Sequence, residues 1–278
     1  MDQLERTPGF VGLLQFIWLT FYDKVVLPFK EMRHATRPVW IISIVFTIDG
    51  LIYFGILTLL GNFFPENANI GDVPTGWIIG LFTGGITLTM IIFGGLTDKL
   101  GVRLSLLIAL GAAFIGRVFL SLSGSFDLGS GLWSPMFYMA IFGLLIIAVA
   151  YGFFQPAAYG GMGKFTSKKN SAMGFAVMYG GMNLGAFFSG LLSPPVRRAS
   201  AGVFPPNGFT GVFWLYTALT LLGLLVVYLF LTKKSIFAAE KTVEEENAQL
   251  AKDTDEAIKE ETVEVPSDES LLNLTGKQ

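Results

Sequence analysis

Two ionisable residues sit inside long apolar stretches: Asp49 midway through residues 38–65, and Arg117 within 104–126. A charge at the centre of a membrane helix costs about 2.5–3.5 kcal/mol on insertion scales, so such residues are retained for pairing or for function. A carboxyl in a low-dielectric setting is a candidate to load and release a proton. Asp49 is therefore the candidate coupling acid and Arg117 its candidate partner. At 1.5 Å per residue their depths from one membrane face differ by roughly 5 Å. They can pair or share a polar cavity; alternatively, Arg117 snorkels outward and Asp49 faces the cavity alone.

Polar residues four apart share a helix face. Asp49 and Tyr53, Tyr151 and Gln155, and Tyr179 and Asn183 all have that spacing, as, more weakly, do Thr83 and Thr87. Taken singly, each pair reads as glue between helices. Taken together they point to a shared, water-accessible cavity. Tyr53, Tyr151, Gln155, Tyr179 and Asn183 donate or accept hydrogen bonds without fixed charge, a lining that suits a neutral or zwitterionic polar solute. Gly50 and Gly55, then Gly152 and Pro156, lie beside these groups and weaken helix continuity, which permits bending. Gly80 and Gly84, and Gly181, Gly185 and Ser189, have the spacing of closely packed helices.

The elements that must position these residues are membrane helices. The 278 residues are 52% hydrophobic and 14% charged, whereas a soluble domain is about a quarter charged. Residues 73–97, 128–163, 170–196 and 199–232 contain no Asp, Glu, Lys or Arg, and 38–65 and 104–126 contain one each. About 20 apolar residues cross the hydrocarbon core once. Six transmembrane helices follow, near 38–61, 75–97, 103–124, 134–160, 171–192 and 209–232. The runs are continuously apolar rather than alternating, so helices and not barrel strands are expected.

With the N-terminus in the cytoplasm, the inside segments hold twelve Lys and Arg, and the outside loops (62–74, 125–133, 193–208) hold only Arg197 and Arg198. This bias places both ends inside. Residues 1–37 form a cytoplasmic segment in which 8–33, apolar but too short to span comfortably, is expected to lie on the inner leaflet. Residues 235–278 carry twelve of the 21 acids and four of the 19 bases. Such a tail reads as solvated and largely disordered, with some helix within 238–261.

Composition also excludes functions. Without cysteine there are no disulfides, thiolate metal sites or palmitoylation, and a single histidine, His34, cannot build a histidine metal site. No metal or other cofactor is expected. No basic patch outside the loops suits nucleic acid. No serine–histidine or paired-acid cluster at the membrane faces suggests an enzyme, and no ring-forming filter motif suggests a channel.

The junction of the second and third helices reads Gly94-Gly95-Leu96-Thr97-Asp98-Lys99-Leu100-Gly101-Val102-Arg103. It resembles the G-x-L-x-D-[RK]-x-G-x-[RK] signature of the major facilitator superfamily. That resemblance implies a gating role for Asp98, Lys99 and Arg103, framed by Gly94 and Gly101, with the acid meeting a helix N-terminus of an opposite half. Within the superfamily the chain is most similar to proton-dependent oligopeptide transporters. Phe175 through Ala186 resembles their fifth-helix F-x-x-F-Y-x-x-I-N-x-G-S, Tyr53-Phe54-Gly55 their Y-Y-G, and Gly152 through Pro156 their G-x-x-K-P. The family's first-helix E-x-x-E-R falls on Phe46, Thr47, Ile48, Asp49 and Gly50, so one acid remains and the arginine is absent; the fourth-helix lysine falls on Gln155.

The resemblance covers 38–234, half of a fold that holds its substrate between two six-helix bundles. The expectation is an all-α membrane protein: a six-helix bundle forming the N-terminal half of a proton-coupled transporter in the cell (inner) membrane. It would move a small polar, peptide-like solute by alternating access, partnered by a second six-helix half that is either a separate chain or a missing part of the gene. The alternative is a non-transporting scaffold, or truncated half, that binds a partner chain.

Overall fold

In hydrocarbon a backbone amide finds no partner but another backbone group, so each apolar stretch closes on itself as a helix. The structure, a computed structural model, describes residues 35–264 together with Phe16, Trp18, Leu19, Thr20, Tyr22 and Lys30, and the backbone alone from 257 onward. Apart from those six residues, the interfacial segment expected over 8–33 lies outside the described residues, as do His34 and residues 265–278. Six helices are long and apolar enough to cross a membrane: α1 (Arg37–Ala68), α2 (Asp72–Leu100), α3 (Val102–Ser123), α4 (Pro135–Phe165), α5 (Ser171–Ser200) and α6 (Phe209–Phe230). A seventh, α7 (Lys233–Glu264), follows.

The boundaries have local causes. Pro38 opens α1 and Pro135 opens α4, where the missing N–H is not needed. Ser134 caps α4 by accepting the Phe137 amide at 3.2 Å. Between α2 and α3 the whole connection is Gly101, whose φ of +79° reverses the chain in one residue. Several helices run past their expected ends. α1 continues to Ala68, and α5 continues through Pro194 and Pro195 to Ser200, so part of the expected outer loops is helical. Both prolines are exposed, and the last helical turn carries Arg197 and Arg198, where cations favour the negative end of the helix.

α1 occupies the centre, packed on α4, α5 and α6, while α2 lies against α4 and α3 against α4 and α6. The buried core is rich in rings, among them Phe46, Phe63, Phe64, Phe165, Phe209 and Phe213. α2 and α5 are the least buried of the six and leave one side of each open.

α3 and α6 run antiparallel and are joined by a ladder of polar contacts. Arg103 Nε donates to the Leu231 carbonyl at 2.6 Å, and its Nη2 to that of Tyr228 at 3.3 Å. Arg117 Nη1 donates to Thr220 Oγ1 at 2.6 Å. The Ser121 and Thr217 hydroxyls lie 3.0 Å apart, and Trp214 Nε1 donates to Ser125 Oγ at 2.9 Å.

The helix expected within 238–261 of the acidic tail is present and longer, running over Lys233–Glu264 as α7. Ile236, Ala239, Val243 and Leu250 fall on one face at helical spacing, and Ala239 and Val243 are buried. That stripe gives α7 a side to lay against α4 and α1.

Candidate functional site

The ion pair is formed. Arg117 Nη2 donates to Asp49 Oδ1 at 2.9 Å, with Arg117 1% and Asp49 6% exposed. The alternative of an outward-snorkelling arginine is not what the fold does. Tyr151, 2% exposed, completes the cluster: its hydroxyl lies 2.9 Å from both Asp49 oxygens and accepts from Arg117 Nη2 at 3.0 Å. Thr220 receives the other arm of the guanidinium and passes its own proton to the Tyr216 carbonyl at 2.7 Å. Four helices, α1, α3, α4 and α6, thus meet at one point. Arg117 Nε is buried there without a partner.

Asp49 is accordingly not a lone acid. Its charge is balanced by a guanidinium and held by a phenol. Such a pair is costly to break from one side, because the remaining charge is left buried and uncompensated.

The glycines set this geometry. A Cβ on Gly50 would lie 2.7 Å from the Met182 carbonyl oxygen, and one on Gly185 2.3 Å from that of Thr47, so α1 and α5 cross in direct backbone contact. Gly152 does the same for α4 against Thr89 of α2, and Gly55 makes room for the Tyr216 hydroxyl. Gly50, Gly55 and Gly152, expected as bending points, therefore stand at close helix crossings. Gly80 and Gly84, expected to pack, face open space, whereas Gly181 and Gly185 do pack on α1. Pro156 lies within α4 beside Gly94.

The remaining polar candidates are not gathered into the cluster. Tyr53 is half-buried and meets Tyr151 edge-on, ring centroids 5.3 Å apart. Tyr179 is exposed, and its hydroxyl accepts from that of Tyr159 at 2.9 Å. Asn183, also exposed, donates to the Tyr179 carbonyl of its own helix at 2.9 Å. Thr83 and Thr87 bond back to Ile79 and Thr83 carbonyls. Gln155 is half-buried. Grooves of about 480 and 450 Å³ run between α1 and α5, lined by residues such as Thr58, Asn62 and Arg198 in one and Trp40 and Thr47 in the other; neither lining includes these six candidates.

Sequence reasoning missed Thr220, which looks like any threonine in an apolar helix. It also missed Tyr159, although that residue continues the four-residue series of Tyr151 and Gln155. Edge and stacked ring contacts link Tyr151, Phe154, Phe46 and Tyr159 to Tyr179, from the ion pair to the open side. In the signature segment, Asp98 and Lys99 are exposed, while Arg103 is engaged with the end of α6. Among the described residues no group of acids or histidines is arranged to hold a metal.

The profile of the Major Facilitator Superfamily matches residues 23–265. No curated protein matches the chain. Among solved structures, it is similar to a bacterial homologue of the human drug peptide transporters PepT1 and PepT2, at 19% identity and TM-score 0.62, over 72% of this chain and 42% of that one. It is also similar to tetrameric PepTSo2 (20% identity, TM-score 0.60, 77% of this chain and 50% of that one). A third is a mutant of the peptide transporter POT in complex with alafosfalin (18% identity, TM-score 0.60, 86% and 48%). The chain spans about half the length of these structures.

Proposed function

The chain belongs to the major facilitator superfamily, and on that premise we propose that it forms the N-terminal six-helix half of a proton-coupled secondary transporter. It works by alternating access with a second six-helix half, in a cell membrane with both termini cytoplasmic, and moves a small polar, peptide-like solute. The observation that carries this reading is the Asp49–Arg117–Tyr151 cluster. A structural core has no need of a charge pair in hydrocarbon, and replacing a buried pair with apolar residues is often neutral or stabilising. A carboxylate joined to four helices is instead a place where a single proton alters packing throughout a bundle.

Solute contacts fall to the half-exposed and exposed groups, Tyr53, Gln155, Tyr179 and Asn183, with Thr83 and Thr87 on α2. Tyr151 holds the ion pair rather than the solute. Gly94, Asp98, Lys99 and Gly101 frame the gate at the end of α2, and Arg103 fixes that end of α3 to α6. Gly50, Gly55, Gly152 and Pro156 are the points where close crossings must loosen as the bundle rocks.

The test is uptake by the complete assembly, recovered by purifying tagged chain from native membranes together with its companion. Asp49→Asn should abolish pH-driven uptake while leaving assembly intact. Full proton dependence in that variant removes Asp49 from the mechanism. A lone 30.3 kDa species with no uptake favours the scaffold instead.

A further inference from the structure

The turn between α4 and α5, residues 166–170, is basic and is gripped by oxygen atoms of α7. Lys164 Nζ pairs with Glu240 Oε1 at 2.9 Å. The Lys168 backbone N–H donates to Asn247 Oδ1 at 2.9 Å. No acid occurs in residues 163–175, and the side chains of Lys168 and Lys169 are exposed. Ser167, only 2% exposed, has a hydroxyl without a hydrogen-bond partner. α5 begins at Ser171, so the positive end of its backbone dipole faces the same turn. An ammonium, a backbone N–H and a helix N-terminus along one connection are donors of the kind that suit oxyanions. In the structure a carboxylate and an amide oxygen from α7 engage the first two.

We propose that this turn binds the phosphate oxygens of anionic lipid headgroups and that α7 occupies it as an internal competitor. Its place in the chain favours a lipid, because α4 is long and apolar enough to cross a membrane and the turn follows directly on its end at Phe165. The polar half of the α7 contact is weak enough to exchange. Lys164 and Glu240 are 57% and 34% exposed, and such surface pairs are screened and add little. Ala239 and Val243 hold α7 nearby by burial, so displacement frees Glu240 and Asn247 without losing the helix. Lipid composition then sets whether the acidic end of α7 is docked or free for other contacts. The inference stands whether or not the chain carries a solute.

The absence of cysteine allows clean spin labelling of Ala172→Cys and Ala248→Cys, both at exposed positions, in the full chain. In vesicles of phosphatidylcholine one short inter-label distance is expected. Adding phosphatidylglycerol should bring in a second, longer population. Glu240→Gln should lower the anionic lipid fraction needed for half-displacement by about twofold, as expected for losing one surface pair. Lys164→Gln should remove the lipid response altogether. If inorganic phosphate over phosphatidylcholine produces the same change and chloride of equal ionic strength does not, the ligand is free phosphate and the lipid assignment is overturned. If chloride matches phosphatidylglycerol, simple screening is at work and the site is refuted. An unchanged distance in phosphatidylglycerol, or a Lys164→Gln chain that still responds, refutes it as well.

Discussion

The centre of the bundle and its open side use the same polar spacing to opposite ends. Around Asp49 each polar group is bonded across to another helix: Arg117 to α1, α4 and α6, and Tyr151 to α1 and α3. On the open side of α2 and α5 the polar groups fall back on the helix of origin, as for Thr83, Thr87 and Asn183. Where these helices are covered they also bond across: Thr89 donates to the Ala148 carbonyl of α4, Ser189 and Ser193 meet the Tyr216 hydroxyl of α6, and Tyr179 is reached from α4 by Tyr159. The spacing of four puts two groups on one face in both regions. What differs is whether a neighbouring helix covers that face.

The sharpest way to break this contrast is Arg117→Ala, which strands the Asp49 carboxylate. A loss of about 3–5 kcal/mol is expected for orphaning one member of a buried pair, and unfolding in detergent should show it. Adding Asp49→Asn in the same chain should restore much of that loss, giving a coupling energy that exposed residues cannot show. Next in size are changes at the crossings. Gly185→Ala pushes a Cβ to 2.3 Å from the Thr47 carbonyl oxygen and should cost about 1–3 kcal/mol of stability. Gly80→Ala on α2, with nothing within 4 Å, should stabilise the protein by about 0.5–1 kcal/mol. Equal effects from the two would mean that the open side is covered in the isolated chain.

Removal of single hydroxyls divides the two regions in the same way. Tyr151→Phe strips a donor shared between two carboxylate oxygens and should cost about 1–3 kcal/mol. Tyr179→Phe should change stability by no more than about 0.5 kcal/mol, its effect appearing instead in the concentration dependence of uptake. A reversed order in melting midpoints would contradict the division between an interior that holds charge and a side that no helix covers.

Much of this was legible from residue order. Charge-free runs of sufficient length specify membrane helices because hydrocarbon permits little else, and all six appear. The Asp49–Arg117 pairing was one of the readings that depth allowed, beside an outward-snorkelling Arg117, and only the fold chooses between them. Less legible was which face of each helix finds a neighbour. Glycine spacing looks the same on α2, where it meets empty space, as on α5, where it meets α1. The glycines beside the polar groups, which suggested bending, turned out to be where backbones touch. Thr220 gave no signal because its role depends on an arginine 103 residues away. Of α7 only some helix within 238–261 was legible: its apolar stripe is sparse among acids, and its docking rests on the burial of Ala239 and Val243 and on contacts with Lys164 and Lys168, distant in the chain.

The antiparallel ladder from Arg103 to Trp214 has a mechanical consequence. Fastened at the end, the middle and the opposite end, α3 and α6 cannot slide past one another without releasing several bonds in succession. They behave as a single stiff plank, with the arginine of the ion pair as one of its rivets. The crossing of α1 on α5 is of the other kind: it is made by Gly50, Gly181 and Gly185 with backbone in contact, and it offers a bearing rather than a bolt.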